Sequence, residues 1–219
     1  MNKDLLTLSD LTVDEINELF DRSAHLKKHR INFARTPLRG KSIGMIFAKS
    51  STRTRVSFEV GIHELGGFPL YLDQGKMQVG RGETVADTAR VLSRFLHGIV
   101  IRTFSQADVE ELGRHASIPV INALTDEYHP CQILADLFTI KEHSGKVEGV
   151  KLVFFGDGQS NIANSLINAA RLIDFELVIA APAEFAPRSE LIGGASNIRW
   201  ESNPLKAAQG ADYVYTDVW

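Results

Sequence analysis

Ser42-Ile43-Gly44-Met45-Ile46-Phe47-Ala48 runs through Lys49 into Ser50-Ser51-Thr52-Arg53-Thr54-Arg55, and the reading of this stretch decides the fold. Its first seven residues are apolar enough to predict a buried strand. Val56, Phe58, Val60, Ile62 and Leu65 follow among Arg55, Glu59, His63 and Glu64, which predicts a helix closed by Gly66-Gly67. Ser51 or Thr52 would cap that helix, whose first free N–H groups and positive dipole end then face the loop, a setting that suits an oxyanion. Arg53 adds a two-pronged donor matched to phosphate. An ordinary capped helix with solvated arginines would use the same residues, so S-T-R by itself does not separate the two readings.

The same alternation extends outward in both directions. Upstream, Thr12-Val13-Asp14-Glu15 reads as a capping box, and Ile16, Leu19, Phe20 and Leu26 follow at helical spacing. Downstream, strands are expected over 68–72, 98–104 and 118–124, and helices over 84–96, 106–116 and 130–143, the last with Pro130 in its first turn. Ser144-Gly145-Lys146-Val147-Glu148-Gly149 is polar and glycine-bearing, and marks a junction. Beyond it the pattern restarts, with strands at 150–155, 176–181, 197–201 and 213–218 and helical segments at 160–173, 188–192 and 204–210. The expected class is α/β, with two doubly wound domains on parallel sheets, 1–143 and 150–219.

The chain has 219 residues, 44% hydrophobic and 23% charged, which is ample for a buried core. A net charge of -3 gives no sequence-wide case for nucleic acid, so cationic chemistry must be local, as at Arg53, Arg55 and Arg102. Cys131 is the single cysteine, which excludes an intramolecular disulfide and agrees with a reducing compartment. Met1-Asn2-Lys3-Asp4 carries no apolar signal segment, and no run approaches the ~20 apolar residues that cross a bilayer. A cytoplasmic protein without membrane or nucleic-acid partners is expected.

Three further segments join the first: Met77-Gln78-Val79-Gly80-Arg81-Gly82-Glu83, Ile101-Arg102-Thr103-Phe104, and His129-Pro130-Cys131-Gln132-Ile133-Leu134-Ala135-Asp136. Together with Ser51 to Arg55, followed by Ser57-Phe58-Glu59, they resemble the carbamoyltransferases, whose signatures S-T-R-T-R…S-F-E and H-P-x-Q are matched without gap or substitution. The likeness runs along essentially the whole chain. Thr216-Asp217-Val218-Trp219 favours the branch whose acceptor is L-ornithine. The resemblance implies that Ser51, Thr52, Arg53, Thr54 and Arg102 hold the phosphate of carbamoyl phosphate, and that Arg102, His129 and Thr54 act catalytically on its carbonyl oxygen. It also implies that Gln132 holds the carbamoyl NH2, that Asn161 and Asp217 contact ornithine, and that Gln78 lies in a loop reaching a neighbouring subunit's site in a homotrimer or a multiple of trimers. Citrulline and phosphate would be the products, with no metal and no organic cofactor. A carbamoyltransferase for putrescine or another amine, and an inactive module that only binds phosphate or oligomerises, are the alternatives. In the family the polypeptide continues past this point, so the second domain is expected to be incomplete.

Other residues invite sharper chemistry than they support. His25 and His29 have i,i+4 spacing, but they flank Lys27 and Lys28 on an amphipathic helix with no acidic or sulfur third ligand evident. Cys131 and His129, two apart at a helix start, diverge, and direct amine attack needs no covalent intermediate. Gly156-Asp157-Gly158 resembles a dinucleotide turn, yet Asn161 stands at the third glycine position and the strand over 176–181 ends without the acid a ribose requires.

Overall fold

The computed structural model describes residues 4–30, 36–77 and 82–217, which form two compact units. The first is built from the residues up to Leu6 and from Asp14–Asp126, the second from Thr7–Val13 and from Glu127 onward.

In the first unit, α1 (Val13–His29) precedes β1 (Ser42–Phe47), α2 (Thr52–Glu64), β2 (Phe68–Asp73), α3 (Val85–Leu92), β3 (Gly98–Arg102), α4 (Gln106–His115) and β4 (Val120–Leu124). Its four strands are parallel in the order β2-β1-β3-β4. Successive side chains of a strand point to opposite faces, and here both faces are covered. Ile46, Ile99 and Ile101 pack with Ala89, Val109 and Leu112 from α3 and α4, whereas Met45, Phe47 and Val100 pack with Ile62 of α2. This explains why β1 and β3 read as unbroken apolar runs. β2 lies at the edge, with Phe68 62% exposed. At the opposite margin Leu5 bridges Ile121, its N–H donating to Val120 O and its carbonyl accepting from Asn122 N–H.

The second unit contains α5 (Pro130–Ser144), β5 (Lys151–Phe155), α6 (Asn161–Leu172), β6 (Glu176–Ala180), α7 (Ser189–Ile192), β7 (Ile198–Glu201), α8 (Pro204–Ala208) and β8 (Tyr213–Thr216). These strands are also parallel, in the order β7-β6-β5-β8. α6 is buried continuously from Ile162 to Ala170, and Ala207 of α8 packs with Val153, Val178 and Ala180.

The expected elements are all present, with differences at their ends. The helix expected over 84–96 stops at Leu92, because Ser93 Oγ donates to Ala89 O and the chain then tightens into i→i−3 bonds, Arg94 N–H to Val91 O and Phe95 N–H to Leu92 O. This turn returns Leu96 to the core. The last strand ends at Thr216 within the described residues.

Of the described glycines with positive φ, two illustrate separable reasons. Gly145 (φ 78°) caps α5 in open space, while Gly66 (φ 85°) also sits where a Cβ would come within 2.6 Å of Thr36 Cβ. Gly145→Ala is expected to cost about 1 kcal/mol, the left-handed strain alone. Gly66→Ala adds a steric clash and should lower the urea unfolding midpoint further. Equal midpoints for the two variants would show that Thr36 exerts no constraint.

Candidate active site

Strand order reverses once in each sheet, between β1 and β3 in the first and between β5 and β8 in the second. Open parallel sheets bind ligands outside the carboxyl ends of the strands at such reversals. Phe47 pairs with Arg102 at the first, so the chain that leads to Ser51 and the start of α2 leaves beside Arg102. Ala48 N–H donates to Arg102 O at 2.8 Å and fixes the two loop origins to each other.

Ser51 is the N-cap of α2, its Oγ accepting from Thr54 N–H at 3.2 Å, while Thr52 begins the helix. The two arginines of the stretch differ in their surroundings. Arg55 is engaged, its Nε bonded to Glu59 at 3.1 Å and its guanidinium 3.8 Å from the Tyr71 ring centroid. Cationic chemistry expected at Arg55 is therefore neutralised locally. Arg53 is exposed and has no ion-pair partner among the described residues.

Arg102 is the most informative side chain of this unit. Among the described residues, Nη1 makes only a long 3.4 Å bond to Thr54 Oγ1, and its buried Nε has no partner. Burial lowers its pKa from the ordinary arginine value, with no carboxylate to offset that effect. A buried donor of a charged group left unpaired is unfavourable, and an anion would satisfy it. Two neighbours are otherwise occupied: Lys49 pairs with Asp126 and lies over the Phe104 ring, and Thr103 Oγ1 donates to Gln74 Oε1. Gln78 lies outside the described residues.

His129 and Gln132 belong to the second unit. His129 is the N-cap of α5, with Pro130 in the first turn, and its N–H donates to Ser165 Oγ at 2.8 Å. Ser165 Oγ in turn donates to Asn161 O at 2.7 Å. The start of α5 is thus tied to the first turn of α6. Gln132 Nε2 donates to Asp136 Oδ1 at 3.0 Å, and Tyr215 OH donates to Asp136 Oδ2 at 2.9 Å. Desolvation raises the Asp136 pKa, opposed by these two bonds, and the nearby charge of Asp217 raises it too. Tyr215 is likewise raised, first by burial and then by Asp136.

Asn161 and Asp217 flank the second reversal, since β5 leads into the turn before Asn161, β8 leads to Asp217, and Phe155 pairs with Thr216. Ser160 caps α6 by accepting from Ala163 N–H, and Asp217 is exposed. The Gly158 position is filled by the protein itself: its N–H donates to Phe185 O at 2.9 Å, and a Cβ there would lie 2.6 Å from that oxygen and 2.8 Å from Pro187 N. This glycine serves a chain-to-chain approach, where a dinucleotide turn would leave room for pyrophosphate. Cys131 is partly exposed as a residue, but burial of its thiol pushes the pKa up to about 12, so sulfur stays protonated and a poor nucleophile. The His25 and His29 rings lie 4.6 Å apart, and no group of three or more metal-ligating residues occurs among the described residues.

Sequence reasoning missed Asp136, Tyr215 and Ser165. Two of the three carried a spacing signal: Asp136 is four residues beyond Gln132 and Ser165 four beyond Asn161 on their helices. Tyr215 shares the alternation of its strand with Asp217, which is visible only once the strand is placed.

Both units are similar to known proteins of one family. The family described as "Aspartate/ornithine carbamoyltransferase, carbamoyl-P binding domain" matches residues 3–142, and "Aspartate/ornithine carbamoyltransferase, Asp/Orn binding domain" matches 148–219. The chain is 54% identical to an ornithine carbamoyltransferase of Oceanobacillus iheyensis, over 99% of this chain and 70% of the relative. It is 52% identical to one of Syntrophus aciditrophicus, over 100% of this chain and 74% of the relative. The solved structure of ornithine carbamoyltransferase from Pyrococcus furiosus superposes with a TM-score of 0.94 at 44% identity, covering 99% of this chain and 72% of that one. With two parallel sheets, helix starts bearing S-T-R-T-R and H-P-x-Q, and matches along both units, the chain belongs to the aspartate/ornithine carbamoyltransferase family.

Proposed function

We propose that this protein transfers the carbamoyl group of carbamoyl phosphate to the δ-amine of L-ornithine, giving L-citrulline and phosphate. The observation that carries the donor side is the unpartnered Nε of Arg102 beside the capped start of α2. A phosphate dianion supplies the missing acceptor, and helix N–H groups with Ser51, Thr52, Arg53 and Thr54 complete its shell. The names of the relatives support ornithine as the acceptor. So does the placement of Asn161 and Asp217 around the second reversal, a carboxylate being suited to an α-ammonium group.

In this reading residues 1–143 carry the carbamoyl phosphate domain of the sequence, although α5 packs in the second unit, and 150–219 belong to the ornithine domain. Thr54, Arg102 and His129 donate to the carbonyl oxygen, where negative charge grows as the amine attacks, and Gln132 accepts from the carbamoyl NH2. Phosphate leaves with the electrons of the broken C–O bond, and the attacking nitrogen loses its proton to solvent or phosphate. The protein acts in the cytoplasm as a homotrimer in which the Gln78 loop serves a neighbouring site, and it uses no metal or organic cofactor.

Calorimetry with carbamoyl phosphate or phosphate tests the clamp. Arg53→Ala should weaken binding by about 1.5–3 kcal/mol, the scale of a charge-assisted bond; equal affinity would remove Arg53 from the site. His129→Ala should lower citrulline formation at saturating substrate far more than it weakens phosphate binding, because its bond strengthens as charge develops. Unchanged turnover would assign His129 to structure alone. The acceptor amine is protonated at neutral pH, with a pKa near the ~10.4 of a lysine. Only its neutral form attacks, so turnover should climb as pH rises from 6 to 9. A flat profile would mean that deprotonation does not limit the reaction.

A further inference from the structure

An amide side chain has a donor end and an acceptor end, and a binding site can use only the end it is shown. Gln132 turns its Nε2 toward Asp136 Oδ1 at 3.0 Å. Both Asp136 oxygens act as acceptors, Oδ1 toward Gln132 and Oδ2 toward Tyr215, so the Gln132 NH2 lies on that side and Oε1 on the other. The second carboxylate oxygen of Asp136 accepts from Tyr215 OH at 2.9 Å, which holds the carboxylate against rotation. Nothing in the reaction chemistry above uses Asp136 or Tyr215, yet they are partly buried together on α5 and β8.

We propose that Asp136, held by Tyr215, is a positioning residue that locks the Gln132 amide with its carbonyl oxygen outward, making the site selective for an acyl phosphate bearing NH2 over one bearing CH3. The inference rests on the assignment of Gln132 to the carbamoyl group. A carbamoyl NH2 can donate to the outward oxygen. The methyl group of an acetyl phosphate has the same size and cannot, so it leaves that oxygen desolvated and unpaired. If Gln132 were free to flip, its own NH2 would face the ligand and the discrimination would fall.

Two hydrolytically stable probes differ only at that group: phosphonoacetamide, with NH2, and 2-oxopropylphosphonate, with CH3. Their dissociation constants for the chain are measured by calorimetry. The wild type should prefer phosphonoacetamide by roughly tenfold or more, the scale of one hydrogen bond with its desolvation. Asp136→Leu, which keeps the forked shape and removes the acceptor, should abolish most of that preference while leaving 2-oxopropylphosphonate affinity within about twofold. Tyr215→Phe, which removes one hydroxyl and preserves packing, should reduce the preference part-way; it carries the test should Asp136→Leu not fold. Asp136→Asn should restore it, because an amide oxygen can still face Gln132 Nε2 while Tyr215 OH turns to accept.

A preference retained in both Asp136→Leu and Tyr215→Phe would overturn the inference. So would equal weakening of both probes, which marks a structural role, or an Asp136→Asn variant as unselective as Asp136→Leu, which makes charge the operative property. A wild type with no preference would instead overturn the assignment of Gln132 to the carbamoyl group, and the two failures are thereby distinguished.

Discussion

A parallel strand must be re-entered from the same end, so each sheet has all its carboxyl ends on one side and all its outgoing loops with them. Where successive crossovers leave in opposite directions, neighbouring loops part and expose the strand ends between them. That constraint puts Ser51 and Arg102 beside one reversal, and Asn161 and Asp217 beside the other. Side chains far apart in sequence become neighbours through pairing register alone, Phe47 with Arg102 and Phe155 with Thr216. The chemistry depends on that register, since a one-residue slip would turn Arg102 to the opposite face of its sheet.

Most of this architecture is legible in the sequence because its cause is local. Apolar runs of five or six residues alternating with amphipathic segments specify strand and helix, and Ser51, Thr84, Ser105 and Ser160 each accept from the N–H three residues on. What is illegible depends on distant neighbours. Arg53 and Arg55 are equivalent as letters, and only the Glu59 carboxylate together with a Tyr71 ring from the adjacent strand separates the free guanidinium from the engaged one. The helix over 84–96 looks continuous, but Ser93 diverts its hydroxyl to a backbone carbonyl and the last turn tightens. The Asp136–Tyr215 bond joins residues 79 apart in the chain, beyond the reach of any spacing rule.

Tethers of this kind also change how the residues of the second unit respond to perturbation. His129 and Asn161 share Ser165 through two short bonds, and Gln132 shares Asp136 with the strand that leads to Asp217. Contacts linked through common partners are not independent, so the effects of substituting them should be strongly non-additive. His129 and Gln132, two of the groups assigned to the acyl donor, are thus mechanically coupled to those assigned to the amine inside the second unit.

The unequal margins of the first sheet have a different consequence. On the β4 side, Leu5 occupies the backbone groups of Val120 and Asn122, and Asp4 accepts from Val120 N–H. On the β2 side, no described strand pairs beyond Phe68–Asp73, and Phe68, Leu70 and Tyr71 are exposed along it. Among the described residues the two margins are therefore unequal, one capped by Asp4 and Leu5 and the other an edge strand without a further partner. Removing Asp4 and Leu5 would free the backbone groups of Val120 and Asn122 and turn a capped margin into a second exposed edge.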